Sequence, residues 1–167
     1  DEQVDRAQKK IENICFNLIV EQQPVAKDLR TITAALKMVT DMERIGDHAA
    51  DISEITVFLA RNNIKVNFDH IGRMATETVM MLNHSIEAYV ERDREKARKV
   101  IEHDDVVDEL FNQVKDDIIA HIRSNPDAGE EAADLLMVAK YFERIGDHAT
   151  NIAEWVIYSL QTVDEQL

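Results

Sequence analysis

Apolar residues recur three and four positions apart along almost the whole chain, beginning with Val4, Ala7, Ile11, Ile14 and Leu18. This spacing lays one stripe along a helix, and Gln22-Gln23-Pro24 then interrupts it, so a first helix ending near residue 22 is predicted. A second begins near Ala26 and carries Ile32, Ala35, Met38, Met42, Ile45, Ala49 and Ile52 as its inward stripe, up to the polar Arg61-Asn62-Asn63. A third covers about residues 68–90 and a fourth about 94–122, parted only by the charged Arg92-Asp93. Ser124-Asn125-Pro126-Asp127 has turn composition, and a fifth helix is expected from about Gly129 to Val163. Nothing alternates with a strand's period of two, so the predicted fold class is all-α.

The chain also repeats itself. Glu43-Arg44-Ile45-Gly46-Asp47-His48-Ala49 recurs letter for letter as Glu143-Arg144-Ile145-Gly146-Asp147-His148-Ala149. Leu36 matches Leu136, Ile52 matches Ile152, Glu54 matches Glu154 and Pro24 matches Pro126, while Asp1-x-x-x-Asp5 has its counterpart in Asp104-x-x-x-Asp108. Identity at corresponding places in two helical hairpins marks an internal duplication. The expected organisation is a first helical repeat over residues 1–63 and a second over 64–167. In the second repeat a helix precedes the matching hairpin, whereas nothing precedes Asp1. The first unit is therefore expected to lack one helix, or about 35 residues including its linker.

The repeated segment carries chemistry. At 100° per residue Asp47 lies about 40° from Glu43, one turn along the same face, and apart from the Met38, Ile45 and Ile52 stripe. Asp1 and Asp5 repeat this spacing on the partner helix, as Asp104 and Asp108 do against Glu143 and Asp147. A lone acidic pair at i, i+4 is usually a solvated face that costs a helix about 0.2–0.5 kcal/mol. Four such pairs, matched across adjacent helices, point instead to a cation held between them. Candidate metal ligands are therefore Asp1, Asp5, Glu43, Asp47, Asp104, Asp108, Glu143 and Asp147, on an outward face. Oxygen donors suit hard ions such as magnesium, calcium, manganese or ferric iron, and His48 and His148 would admit ferrous iron or zinc. The angle of His48 from Glu43 favours a supporting or packing role over direct ligation. Arg44 and Arg144 are expected to pair with Asp47 and Asp147, and Gly46 and Gly146 to mark close helix approach.

Charge and composition narrow the classes. With 33 acidic against 19 basic residues the formal net charge is −14, which repels nucleic acid and favours cations or a basic protein surface. The single Cys15, inside Ile14-Cys15-Phe16, forms no internal disulfide and is expected as a small buried hydrophobe. No run approaches the roughly 20 apolar residues of a membrane span and no signal-peptide pattern opens the chain, so a cytoplasmic protein is expected. Met81, Phe111, Phe142 and Trp155 fit the core. There is no glycine-rich phosphate loop, no Cys-x-x-Cys and no nucleophile constellation, so no enzyme is expected.

Gln23-Pro24-Val25-Ala26-Lys27-Asp28-Leu29-Arg30, followed by the duplicated Glu-Arg-Ile-Gly-Asp-His-Ala segments, closely resembles the PhoU family of phosphate-uptake regulators. The resemblance covers essentially the whole chain. It implies two three-helix bundles bearing multinuclear metal sites of iron, manganese, magnesium or zinc on the eight carboxylates named above. It also implies negative regulation of the phosphate starvation response. The partners would be the phosphate ABC transporter, including its ATPase, and a sensor histidine kinase, with the chain itself a homodimer. One departure stands out: Gly129-Glu130-Glu131 replaces Leu29-Arg30-Thr31 in the second copy. A metal-dependent phosphoester hydrolase and a metal-free helical scaffold are the competing readings.

Overall fold

The computed structural model describes residues 2–61 and 69–161. Within them lie five α-helices: α1 (Glu2–Gln22), α2 (Ala26–Arg61), α3 (Asp69–Glu91), α4 (Arg94–Ser124) and α5 (Gly129–Leu160). A single 3-10 turn, Pro126–Ala128, joins the last two, and no strand occurs among the described residues. The predicted breaks fall where the local chemistry places them. Gln23 (φ 43°) and Arg92 (φ 57°) adopt left-handed backbone, which ends α1 and α3. Asp93 then caps α4, its carboxylate accepting from the amides of Glu95 at 2.9 Å and Lys96 at 3.0 Å.

α2 and α5 run antiparallel along the centre. Among the described helices α1 packs along α2, whereas α5 also receives α3 and α4, which pack on each other. The main core therefore gathers in the second repeat, around Met74, Met81, Val107, Leu110, Val114, Ile152 and Val156, with Met38 and Ile45 reaching in from α2. Phe111, Phe142 and Trp155 pack against it, half-buried. Two histidine–carboxylate contacts tie α3 to α4, His70 Nδ1 to Asp117 Oδ2 at 2.6 Å and His103 Nε2 to Glu77 Oε2 at 2.7 Å.

The inward stripe predicted for α2 is only partly buried. Met38 and Ile45 are, but Ala49 is exposed, and Ala34 and Val39 are the further buried positions. The counterpart Ala149 is completely buried. The difference follows from neighbours, since α5 has a third helix against it and α2, among the described residues, does not. Ile11, Ile14 and Leu18 on α1 accordingly stay 37%, 50% and 42% exposed, although Cys15 beside them is buried at 5%.

Both repeat glycines sit at a helix crossing. A Cβ on Gly46 would lie 3.3 Å from Val4 Cγ1, and one on Gly146 would lie 3.4 Å from both Val107 Cγ1 and Asp104 Oδ1. Val4 and Val107 are thus equivalent, which extends the duplication to the packing of α1 on α2 and of α4 on α5. An alanine in a helix interior gains about 1 kcal/mol over glycine. Gly46→Ala is expected to keep most of that gain, because half-exposed Val4 on a helix with one neighbour can yield. Gly146→Ala is expected to keep less, since Val107 is locked in the core and the methyl would desolvate Asp104. Urea unfolding midpoints of the two variants check the order, and a larger gain at Gly146 would contradict it.

Candidate metal centre

The crossing of α4 on α5 brings the second set of carboxylates together. Glu143 and Asp147 occupy successive turns of α5, and Asp104 and Asp108 face them from α4, held close by the absence of a side chain at Gly146. Burial raises the Asp104 carboxyl to about 6, reinforced by the charges of Asp147 and Asp108 and opposed by the Thr150 hydroxyl. Asp147 is raised by burial and by Glu143 and Asp108, and lowered by Lys140 and His148. Asp147 therefore lies within electrostatic reach of the three other predicted residues. The four are not yet a closed cage: among the described residues no three His, Cys, Asp or Glu side chains are gathered at metal-holding spacing. A bound cation would have to draw them inward.

The donor set fits a hard cation. Four carboxylates supply oxygen alone, in an excess that destabilises the apo site. A cation already stands at its edge, where the Lys140 ammonium meets Glu143 Oε2 at 2.6 Å. The first repeat has Thr40 in that place. There, Val4 against Gly46 sets α1 on α2 in the same manner, with Asp5 and Glu43 half-buried and Asp47 exposed. Asp1 lies outside the described residues.

Two expectations about the surroundings change. The face is not simply outward: the Glu143 side chain is only 15% exposed and Asp104 is half-buried, because the partner helix covers that side of the groove. Arg144, expected to neutralise Asp147, is exposed and lies close enough to His48 to depress that imidazole. Lys140 could have been found from its i, i+3 spacing to Glu143.

The histidines serve the seam between repeats. His148 Nδ1 meets Asp41 Oδ1 at 2.8 Å, and Asn151 donates to the same oxygen at 3.3 Å. The His48 ring stacks on His148 at 5.7 Å and on Tyr141 at 5.4 Å. Burial, then His148 and Arg144, hold His48 below the ordinary imidazole range. Asp41 and Tyr141 occupy equivalent positions in the two repeats, so one duplicated histidine faces a carboxylate and the other a phenol ring. No sequence signal links Asp41 to a histidine 107 residues away.

The fold and site define an all-helical duplication protein whose two related units each set acidic residues at the crossing of two helices. Comparison with known proteins makes the assignment specific. A family model described as the PhoU domain matches residues 1–56 and 71–156. The phosphate-specific transport system accessory protein PhoU homolog of Clostridium acetobutylicum is 40% identical over 162 residues, covering 95% of this chain and 73% of the relative. Homolog 1 of Thermotoga maritima, with the same description, is 33% identical over 159 residues, covering 95% and 68%. The crystal structure of PhoU from Pseudomonas aeruginosa superposes with a TM-score of 0.91 at 28% identity, over 96% of this chain and 77% of that one. The PhoU structure from Streptococcus pneumoniae, at 24% identity and a TM-score of 0.86, shares the fold. The chain belongs to the PhoU family.

Proposed function

We propose that this chain is a cytoplasmic, metal-binding, non-catalytic regulator of phosphate uptake. It acts as a negative regulator of the phosphate starvation response, associating with the phosphate ABC transporter, its ATPase included, and with a sensor histidine kinase. The observation that carries the metal part is the meeting of Asp104 and Asp108 with Asp147 at one crossing, with Glu143 beside Asp147: partial burial, then the charges of Asp147 and Asp108, hold Asp104 near 6. A fold that retains such a cost at a tight crossing is compensated when a cation binds there. Membership of the PhoU family, whose matched relatives are named as phosphate transport accessory proteins, supports the partner side. No helix among the described residues is long and apolar enough to cross a membrane, so transporter and kinase would be met at their water-facing surfaces.

Elemental analysis of protein purified without added metal or chelator tests the first half. Iron, manganese, magnesium or zinc is expected at a stoichiometric level, and metal-free protein would sink it. The second half is tested by binding to the transporter's ATPase and to the kinase at two salt concentrations, beside an assay with a generic phosphoester. Salt-sensitive association without turnover is expected, because a net charge of −14 repels an anionic substrate and attracts a basic surface. Steady turnover lost on Asp147→Asn would establish a hydrolase instead.

A further inference from the structure

The two carboxylate crossings are built on the same backbone contact but carry different edges, and Lys140 is the centre of the difference. Its ammonium meets Glu143 Oε2 at 2.6 Å, and its charge also reaches Asp147. The same ammonium stands 5.4 Å from the centre of the Phe111 ring on α4, and Lys115 Nζ stands 5.2 Å from that ring. Val4 against Gly46 and Val107 against Gly146 fix the correspondence of the repeats, so Thr40, Gln8 and Glu12 are the equivalents of Lys140, Phe111 and Lys115. None of them is a cation: the Thr40 hydroxyl donates to the Leu36 carbonyl at 3.2 Å, and Gln8 donates to Glu12 Oε1 at 3.2 Å. One crossing thus has two ammonium groups at its edge where the other has an additional carboxylate.

We propose that Lys140 is a built-in counter-ion that occupies Glu143 and lowers the metal affinity of the second repeat, so that the two repeats load in order rather than together. The proposal rests on the metal-binding reading above and names the regulation of that site. An exposed lysine–glutamate pair one turn apart contributes little, but Glu143 is largely covered by α4, where solvent screens the pair less. Before Glu143 can serve as a ligand Lys140 must leave it, which costs the second site a charge-assisted hydrogen bond. The Phe111 ring offers the displaced ammonium a cation–π seat within reach, but Lys115 already shares that ring and repels a second cation on it. Lys140 is therefore pressed toward Glu143, and an ion of higher charge is favoured over a monovalent one in taking its place. In the first repeat Glu43 meets no such competitor from the Thr40 position.

Manganese(II) titrated into isotope-labelled, metal-free full chain reads the two sites separately, because the paramagnetic ion broadens the amide resonances near it. Amides around Gly46 report one repeat and those around Gly146 the other, and broadening is expected at Gly46 first. Lys140→Gln, which keeps the length and removes the charge, and Lys140→Thr, which installs the first repeat's residue, should each tighten the second site by about tenfold with the Gly46 midpoint unchanged. Thr40→Lys should weaken the first site in turn. Lys115→Gln removes an equal charge from the ring rather than from Glu143, and should gain less. An equal gain in Lys115→Gln would make the effect one of general charge, and unchanged or weaker second-site binding in both Lys140 variants would deny Lys140 the role of competitor; either overturns the proposal. The reading beneath it fails differently. Absence of localised broadening at both glycines, in wild type and variants alike, removes the metal sites and the counter-ion with them. Broadening at both, with midpoints that ignore the Lys140 variants, leaves the metal sites standing and removes the counter-ion alone.

Discussion

Asp104→Asn combined with Asp147→Asn is expected to empty the second repeat of metal while leaving helical circular dichroism unchanged. Asp147 is covered on the side of α4 but keeps much of its surface in solvent, and Asp104 is half-buried at the groove's edge, so neither carboxylate is part of the packed core around Val107, Leu110 and Val114. What disappears is the stabilisation by ligand, about 2.7 kcal/mol with free metal at about one hundred times its dissociation constant. The thermal midpoint of wild type should therefore rise on metal addition and that of the double variant should rise less. The remaining increment belongs to Asp5, Glu43 and Asp47 in the first repeat, and Glu43→Gln with Asp47→Asn should remove it in turn. A collapse of helicity in either variant would make these residues structural. Unchanged metal content would place the cation elsewhere.

In metal-free protein the single variant Asp104→Asn is expected to be more stable than wild type at neutral pH. The Asp104 carboxyl titrates near 6 in the folded chain, above its ordinary 3.8, chiefly because burial and then the charges of Asp147 and Asp108 penalise the anion. Between about pH 4 and pH 6 the folded chain holds a proton that the unfolded chain has released, so stability falls as pH rises through that window. Below it Asp104 is protonated in both states; above it the full penalty is in force. Partial exposure screens the effect, leaving about 1–2 kcal/mol. The measurement is the difference in unfolding free energy between wild type and Asp104→Asn across the window, in chelator. It should grow with pH and level off above about 7. A constant difference would mean that Asp104 is not the group under strain. Metal should reverse the trend, because a bound cation favours the ionised carboxylate.

Periodicity carried the helices to within a few residues. The breaks at Gln22-Gln23-Pro24, Arg92-Asp93 and Asn125-Pro126 are local chemistry: a proline, a left-handed residue ahead of a capping carboxylate, and a turn. Such events involve neighbours along the chain and are legible without the fold. The carboxylate pairs were legible for the same reason, since residues four apart share a helix face wherever the helix packs. The duplication then identified which helices belong together, because Val4 against Gly46 and Val107 against Gly146 are the same contact made twice.

Burial and pairing were decided elsewhere. Ala49 and Ala149 sit in identical heptapeptides, yet one is exposed and the other completely buried. Nothing within the motif distinguishes them; the difference is α3, which covers α5 and has no counterpart on α2 among the described residues. His48 and His148 likewise share every immediate neighbour, but one stacks beside Tyr141 and the other contacts Asp41, because antiparallel packing of α2 on α5 sets each histidine against the opposite repeat. A helix's own sequence dictates where its faces lie, since backbone geometry is common to all helices. Which face meets solvent and which meets a carboxylate 107 residues away depend on the number and direction of the helices packed against it, and those belong to the assembled fold.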